Sequence, residues 1–161
     1  MYQFKHTTYA SPNPGKKLIV LGAVHGSEKC GTVAIQRVIS EFESGALALA
    51  RGQVTFVPIT NPKAYAQNTR NGDRNLNRRL RPETVPREFE DHVANWLCPL
   101  LKAHDVLLDL HSFQAQGQPF ATLGPENNNG ALGPFRWASE GMAMSQSLVV
   151  VCAVDGWFGT Y

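Results

Sequence analysis

Three residues with metal-binding side chains follow two apolar stretches of this sequence. His25 and Glu28 lie three positions apart in a glycine-bracketed turn, directly after the apolar run Leu18–Leu21. His111 follows a second apolar run, Val106–Leu110. An imidazole nitrogen and a carboxylate oxygen in this arrangement can bind one divalent ion, and a catalytic zinc site needs a third protein ligand and an open position. His111 is the best candidate for that third ligand.

The alternative is that these histidines have no metal to bind. A histidine after a strand is more often a buried structural residue or a solvated surface residue, so a His-x-x-Glu spacing alone is weak evidence. The second strand, which ends Asp109-Leu110-His111, strengthens the metal hypothesis because ligands of parallel sheets gather at the carboxyl ends of strands.

A long polar segment, Asn61–Pro82, is rich in arginine and has little hydrophobic periodicity. A loop of this length inside a compact domain is usually functional or disordered. Its arginines are compatible with a solvated surface or an RNA-binding patch, but the loop has one aromatic residue, Tyr65, and the net charge is only +2, which argues against nucleic acid. A guanidinium binds a carboxylate through a planar fork, so a clamp for a small acidic molecule fits better.

Strand and helix patterns alternate along the chain. Strands are predicted at Tyr2–Tyr9, Leu18–Leu21, Gln53–Val57, Val106–Leu110, Phe120–Leu123 and Leu148–Val154. Helices are predicted through Ile35–Phe42, from near Pro86 to Leu101 and from about Pro134 to Ser147. This alternation predicts an α/β fold, a three-layer α/β/α domain with a mostly parallel, mixed sheet. The 161 residues suit one domain over positions 1–161.

Composition excludes several classes of protein. The three cysteines are widely spaced, which favours neither a disulfide framework nor a cysteine-based zinc site. The N-terminal residues lack the apolar core of a signal peptide, and no apolar run approaches the ~20 residues that span a bilayer. We therefore expect a cytoplasmic protein without a membrane or nucleic-acid partner, and the sequence leaves its oligomeric state open.

Five short motifs occur together in a characteristic order. They are His25-Gly26-Ser27-Glu28, Asn61-Pro62-Lys63-Ala64, Arg70, Asn77-Arg78 and Asp109-Leu110-His111. In this combination the sequence resembles the succinylglutamate desuccinylase/aspartoacylase family, whose fold is similar to that of the zinc carboxypeptidases. The resemblance covers about Leu18 to Ser112. It implies a zinc-dependent hydrolase that cleaves the amide of a small anionic N-acyl amino acid.

The resemblance also implies roles for individual residues. One Zn²⁺ is held by His25, Glu28 and His111. The substrate is held by Arg70, Asn77 and Arg78, with arginine contacts to its carboxylate and to the carbonyl under attack, which gives Arg70 a catalytic role. This agrees with elementary chemistry, since zinc polarises a carbonyl and lowers the pKa of its bound water to about 7, while arginine stabilises an oxyanion.

One departure from the family pattern concerns the support of the metal ligands. The family usually has an aspartate two residues before the Asn-Arg pair, where it accepts a hydrogen bond from a zinc-bound histidine, and this chain has Asn75. An amide oxygen can accept the same bond, but it makes the ligand less basic. Asp109 is expected in a similar supporting position.

The second departure concerns the general base. The family has a glutamate at the end of a strand well after the third ligand, and the acidic residues after His111 are Glu126, Glu140 and Asp155. None fits that position well, so we expect the chain to stop before the catalytic strand. Two alternatives remain: a zinc carboxypeptidase acting on peptides, or a zinc- and carboxylate-binding fragment with little activity.

Overall fold

The structure is a computed structural model that describes residues 2–113, 115–123, 138–148 and 152–155. The chain forms two compact units, Met1–Phe113 and Gln114–Tyr161. The expectation of one domain over positions 1–161 stays a prediction. Among the helices of the described segments, none has the length and apolarity needed to cross a membrane.

A four-stranded sheet forms the centre of the first unit. Its strands are β1 (Thr7–Ala10), β2 (Lys17–Gly22), β3 (Gln53–Val57) and β4 (Val106–Leu110), in the order β1-β3-β2-β4. β2 is parallel to β3 and β4, and β1 is antiparallel to β3. The mostly parallel, mixed sheet is therefore confirmed, and β1 lies at one edge of it.

Helices cover both faces of this sheet. Alternate residues of β2 pack on opposite sides: Ile19 and Leu21 belong to one buried cluster and Val20 to another. The helix α1 (Cys30–Glu43) contributes Ile35 to the cluster of Val20. Because β2 is covered on both faces, it reads as a continuous apolar run rather than an alternating one.

The arginine-rich segment contains two short elements that hydrophobic periodicity did not predict. They are the helix α2 (Pro62–Gln67) and a 3₁₀ turn over Leu76–Arg78. The Asn61 side chain accepts a hydrogen bond from the Ala64 N–H at 3.2 Å, and Pro62 occupies the first helical position. Local capping chemistry therefore starts α2, since asparagine caps and proline in the first turn both favour a helix N-terminus.

The helix α3 (Phe89–Lys102) packs on the face of the sheet opposite α1, through Val93 and Leu97. It begins with a capping box, in which Glu88 and Asp91 each accept from the other's backbone N–H. The prediction of a helix here is confirmed, with its start at Phe89.

The close fit of α1 to the sheet depends on a glycine. A Cβ atom built at Gly31 lies only 2.8 Å from Cβ of Leu110, so a larger residue meets the last residue of β4. The first turn of α1 therefore lies directly against the carboxyl end of β4, next to the turn that follows β2.

The second unit is described in part. It contains β5 (Phe120–Leu123), the helix α4 (Ala138–Ser147) and β6 (Cys152–Asp155), and β5 is parallel to β6. The strand at Phe120–Leu123 is confirmed. The predicted strand at Leu148–Val154 overlaps β6, with positions 149–151 outside the described residues.

Candidate active site

The side chains of His25, Glu28 and His111 converge beyond the carboxyl ends of β2 and β4. One ligand atom from each lies within 4.8 Å of the others. Nδ1 of His25 lies 2.9 Å from Oε1 of Glu28, and Nδ1 of His111 lies 2.9 Å from Oε2. The Glu28 carboxylate thus contacts both imidazoles, and the structure brings together the three residues that the sequence analysis selects as metal ligands.

Strand register explains this convergence. Gly22, the last residue of β2, is paired with Leu110, the last residue of β4, so His111 emerges beside the turn after β2. That turn begins with Ala23, whose φ of 49° lies in the left-handed region, and it closes through a hydrogen bond from the Glu28 N–H to the His25 carbonyl. Parallel pairing and a tight turn together place all three ligands at one edge.

The imidazole of His25 is oriented by Asn75. Oδ1 of Asn75 lies 3.2 Å from Nε2 of His25 and also accepts from the Asn77 N–H at 3.0 Å. Because that backbone bond identifies the amide oxygen, Nε2 is the nitrogen that carries the proton. Burial lowers the pKa of His25, with Arg70 adding to the effect against the opposing charge of Glu28, so the ring is neutral near pH 7.

This arrangement tests whether the residues fit a metal ion. With the proton on Nε2, Nδ1 of His25 presents a lone pair, is buried and has no hydrogen-bond partner among the described residues. It faces a carboxylate oxygen at 2.9 Å. Two acceptors that face each other in a buried site are stabilised by a cation held between them. The residues therefore fit a divalent ion, and mixed nitrogen and oxygen donors are typical of Zn²⁺.

Glu28 is held in its ionised form. Burial raises the pKa of Glu28, but the hydrogen bond from the Ser112 N–H and the two imidazoles outweigh this effect, so the pKa lies below its ordinary value. The Ser112 N–H donates to Oε2 at 2.9 Å. A carboxylate that stays ionised in a buried position is a suitable metal ligand.

His111 is held from its other side by Asp109. Nε2 of His111 lies 2.8 Å from Oδ2 of Asp109, which leaves Nδ1 directed at Glu28. Burial lowers the pKa of His111, but the hydrogen bond and charge of Asp109, together with Glu28, outweigh this and raise the pKa above its ordinary value. Asp109 thus lies where a supporting acceptor for a ligand imidazole is expected.

Arg70 lies at the rim of this cluster. Its Nη1 donates to Oε1 of Glu28 at 2.8 Å, and 54% of its side chain remains exposed. Its carbonyl accepts from the Gly26 N–H at 3.3 Å. One nitrogen of the guanidinium therefore touches a candidate metal ligand while much of the side chain faces solvent.

The other two predicted substrate residues lie in the 3₁₀ turn that follows Asn75. Asn77 is 3% exposed, and its Oδ1 is buried without a hydrogen-bond partner in the part of the chain that the structure describes. Arg78 is exposed and donates from Nη1 to the carbonyl of Asn77 at 3.0 Å. Asn75, which orients His25, also caps the turn that contains both residues. Their roles toward a substrate stay a prediction.

The candidates for a general base stay untested. Glu126 lies outside the described residues, Glu140 lies in α4 and Asp155 ends β6. The expectation that the catalytic glutamate lies beyond this chain also stays a prediction.

Sequence reasoning missed one residue of this region, Glu90. Its side chain is fully buried in α3 and binds the backbone of the arginine-rich loop. A signal for it exists in the sequence, since Glu90 shares helical spacing with Val93, Ala94 and Leu97, which are buried. An acidic residue on an otherwise apolar helix face indicates a buried polar partner.

One family profile covers most of the chain. Residues 14–125 match the sequence profile of the succinylglutamate desuccinylase/aspartoacylase catalytic domain. Among curated proteins, none matches the sequence significantly.

Several solved structures share the fold. An aspartoacylase family protein from Mesorhizobium loti is 23% identical, with a TM-score of 0.75 over 94% of this chain and 47% of its own. A succinylglutamate desuccinylase from Silicibacter sp. is 22% identical, with a TM-score of 0.73 over 94% and 45%. A metallo-carboxypeptidase from Burkholderia cenocepacia is 16% identical, with a TM-score of 0.67 over 94% and 44%. The carboxypeptidase-like fold is therefore confirmed, and this chain spans less than half of each of these proteins.

Proposed function

The chain belongs to the succinylglutamate desuccinylase/aspartoacylase family, and on that premise we propose that it carries the metal-binding part of a zinc-dependent deacylase. The substrate is a small anionic N-acyl amino acid, and the reaction is hydrolysis of its amide. The observation that carries the proposal is the contact between Nδ1 of His25 and Oε1 of Glu28, two buried acceptors 2.9 Å apart, beside the imidazole of His111.

In this proposal one Zn²⁺ is held by His25, Glu28 and His111. The bound ion supplies Lewis-acid polarisation of the amide carbonyl and lowers the pKa of water to about 7. The protein supplies the orientation of the ligands: Asn75 and Asp109 accept hydrogen bonds from the nitrogens that face away from the site, and such partners fix the ring and raise its basicity.

Arg70 is the residue that we assign to the reacting carbonyl. Its contact with Glu28 at 2.8 Å places a positive charge next to the metal ligands. A guanidinium in that position stabilises the negative charge that develops on the amide oxygen, and Asn77 and Arg78 hold the substrate carboxylate. Arginine suits both tasks because its donors form a fixed planar fork.

The preference for a small acidic substrate rests on the arginines and on the family. The competing function is that of a carboxypeptidase, which also needs a metal and a carboxylate clamp and which the similarity of fold to a metallo-carboxypeptidase favours. A further alternative is a chain that binds zinc and carboxylates but turns over slowly, since general acid–base catalysis contributes about 10²–10⁴-fold.

The metal assignment is tested by elemental analysis of the chain purified without chelator. We expect close to equimolar zinc, lost in the variant His111→Ala. The matched control is His92→Ala, which removes an exposed histidine of α3 and is expected to retain the zinc. Full zinc content in His111→Ala overturns the assignment of that ligand.

The substrate class is tested by comparing N-succinyl and N-acetyl amino acids with peptides that end in a free carboxylate, using the protein at its natural length. We expect faster turnover of the acylated amino acids, and faster turnover of the peptides identifies a carboxypeptidase instead. Fast hydrolysis by the 161-residue chain, lost in Asp155→Asn or Glu126→Gln, contradicts the expectation that the general base lies beyond it.

A further inference from the structure

Glu90 is a buried carboxylate whose location the helix pattern does not explain. It is 0% exposed and shares the apolar face of α3 with Val93 and Leu97, which are also fully buried. Burying a carboxylate costs several kcal/mol unless hydrogen bonds satisfy its oxygens. A carboxylate at such a position therefore requires hydrogen-bond donors, and here the donors belong to the arginine-rich segment Asn61–Pro82.

The carboxylate of Glu90 accepts four hydrogen bonds. Oε1 accepts from Nδ2 of Asn61 at 2.7 Å and from the Gly72 N–H at 2.9 Å. Oε2 accepts from the N–H groups of Asp73 and Arg74, each at 3.1 Å. Three consecutive backbone N–H groups thus surround one carboxylate, an arrangement that binds anions well. Glu90 supplies the anion from within the protein.

On each side of this three-residue segment, one nearby residue contacts a candidate metal ligand. Arg70, two positions before Gly72, donates to Glu28 at 2.8 Å. Asn75, the residue after Arg74, lies 3.2 Å from Nε2 of His25. The segment that Glu90 binds is therefore flanked in the sequence by Arg70 and Asn75, which contact Glu28 and His25 respectively.

The fit between the loop and the carboxylate is close. A Cβ atom built at Gly72 lies 2.5 Å from Oε1 of Glu90, so a larger residue at this position forces the loop and the carboxylate apart. The neighbouring Asp91 contacts the same loop through the guanidinium groups of Arg74 and Arg79. Within the segment from Gly72 to Arg79, Glu90 accepts from backbone N–H groups, whereas Asp91 accepts from side chains, and this difference provides a control.

We propose that Glu90 is a positioning residue of the candidate active site, a role that rests on the proposed function. Its carboxylate fixes the backbone of Gly72–Arg74, which in turn holds Asn75 against His25 and Arg70 against Glu28. Without it the loop amides lose their acceptor, and the His25 ring loses the hydrogen bond that directs Nδ1 toward the metal.

The test compares Glu90→Gln with Asp91→Asn in the whole chain, using two measurements. The first is the Kd for zinc, determined by competition with a chelator. We expect Glu90→Gln to weaken zinc binding about tenfold or more, the range seen when supporting partners of metal ligands are lost, and Asp91→Asn to change the Kd less than about twofold while lowering stability. Combining Glu90→Gln with Asn75→Ala is expected to add little further loss, because both act through His25.

The second measurement uses histidine nitrogen chemical shifts in the metal-free chain, which report which imidazole nitrogen is protonated. We expect His25 protonated on Nε2 in the wild type and a mixture of both forms in Glu90→Gln. If Glu90→Gln does not fold, Gly72→Ala keeps the Glu90 side chain but forces it and the loop apart, and it is expected to give the same two changes.

The outcomes separate the two proposals. Unchanged zinc affinity and an unchanged His25 tautomer in the variants overturn the role of Glu90, even if the wild type binds zinc. Equal loss of affinity in Glu90→Gln and Asp91→Asn also overturns it, because that result indicates general destabilisation. A wild type that binds no zinc overturns the proposed function, while the tautomer still decides whether Glu90 positions His25.

Discussion

Asn75 lies 3.2 Å from Nε2 of His25, and this contact decides which imidazole nitrogen faces Glu28. From the sequence, the amide at this position is expected to be a weaker acceptor than the carboxylate of the family pattern. The structure adds a second task, since the same oxygen accepts from the Asn77 N–H and starts the 3₁₀ turn. One side chain therefore orients a candidate metal ligand and shapes the loop of the predicted substrate residues.

Replacing this amide is expected to change metal affinity in both directions. Asn75→Asp keeps both hydrogen bonds and adds a negative charge next to the His25 ring, so zinc binding becomes tighter. Asn75→Ala removes the acceptor and weakens binding about 10–100-fold. The measurement is zinc competition with a chelator. Equal affinities in the three proteins contradict the role of Asn75, and thermal unfolding of each controls for loss of the turn.

Replacing the guanidinium of Arg70 with an ammonium group is expected to reduce amide hydrolysis by the natural-length protein. Arg70→Lys keeps the charge but loses the planar fork, and kcat/KM falls about 10²–10³-fold, the loss typical of one oxyanion donor. Arg81→Lys is the matched control, because Arg81 is 71% exposed and pairs with Glu83 at 3.1 Å. Comparable rates in the two variants show that Arg70 does not contact the reacting group.

Asp91 is expected to make the free energy of unfolding depend on pH in the acidic range. The N–H of Arg87, the Arg74 side chain and the N–H of Glu88 hold the pKa of Asp91 well below its usual range. A pKa that is lower in the folded than in the unfolded chain stabilises the fold above the ordinary value of about 3.9, and this stabilisation is lost as the pH falls toward the folded value.

The variant Asp91→Asn tests this expectation. It is expected to be less stable than the wild type by about 1–3 kcal/mol at neutral pH, the cost of leaving buried donors unpaired. The difference in the free energy of unfolding, measured with urea, shrinks as the pH falls below about 4. A constant difference across this range means that Asp91 does not titrate as the structure indicates.

Enlarging Gly31 is expected to affect stability and metal binding together. Gly31→Ala places a Cβ atom against Leu110, and overpacking of this kind costs about 1–3 kcal/mol. Because Glu28 precedes α1 and His111 follows β4, moving the helix away from the strand separates two candidate ligands and weakens zinc binding. Val33→Ala, at a position on the same helix that is 63% exposed, is expected to change neither quantity.

Much of the sheet could be predicted because its signals are local. Gln53–Val57 and Val106–Leu110 are apolar runs with clear ends, and both strands have the predicted bounds. The predicted strand at Tyr2–Tyr9 is wrong over its first half, since β1 starts at Thr7. The ring of Phe4 instead stacks on Trp96 of α3 at 5.1 Å, a tertiary contact that an alternating pattern cannot distinguish from strand pairing.

In the candidate site, too, some residues could be predicted from local sequence patterns and others could not. Its three candidate metal ligands could be selected because each follows a strand, and strand ends of a parallel sheet meet. Helical spacing places Glu90 on the apolar face of α3, but it does not show what the carboxylate binds, because its partners include backbone N–H groups at Gly72 and its two successors and backbone donors carry no sequence signal. Spacing reveals the candidate ligands and the buried carboxylate, whereas the contact between Glu90 and the loop becomes visible only in three dimensions.

The contact between Glu28 and His111 joins positions that are 83 residues apart. Closing a loop of this length costs entropy that the contacts of the paired strands compensate. His25 and Glu28 lie close together in the sequence, whereas His111 joins them only when β4 pairs with β2. A nascent chain that has not yet emerged past His111 therefore lacks one of the three candidate ligands, and under the proposed function the binding of a divalent ion reports that β2 and β4 have paired.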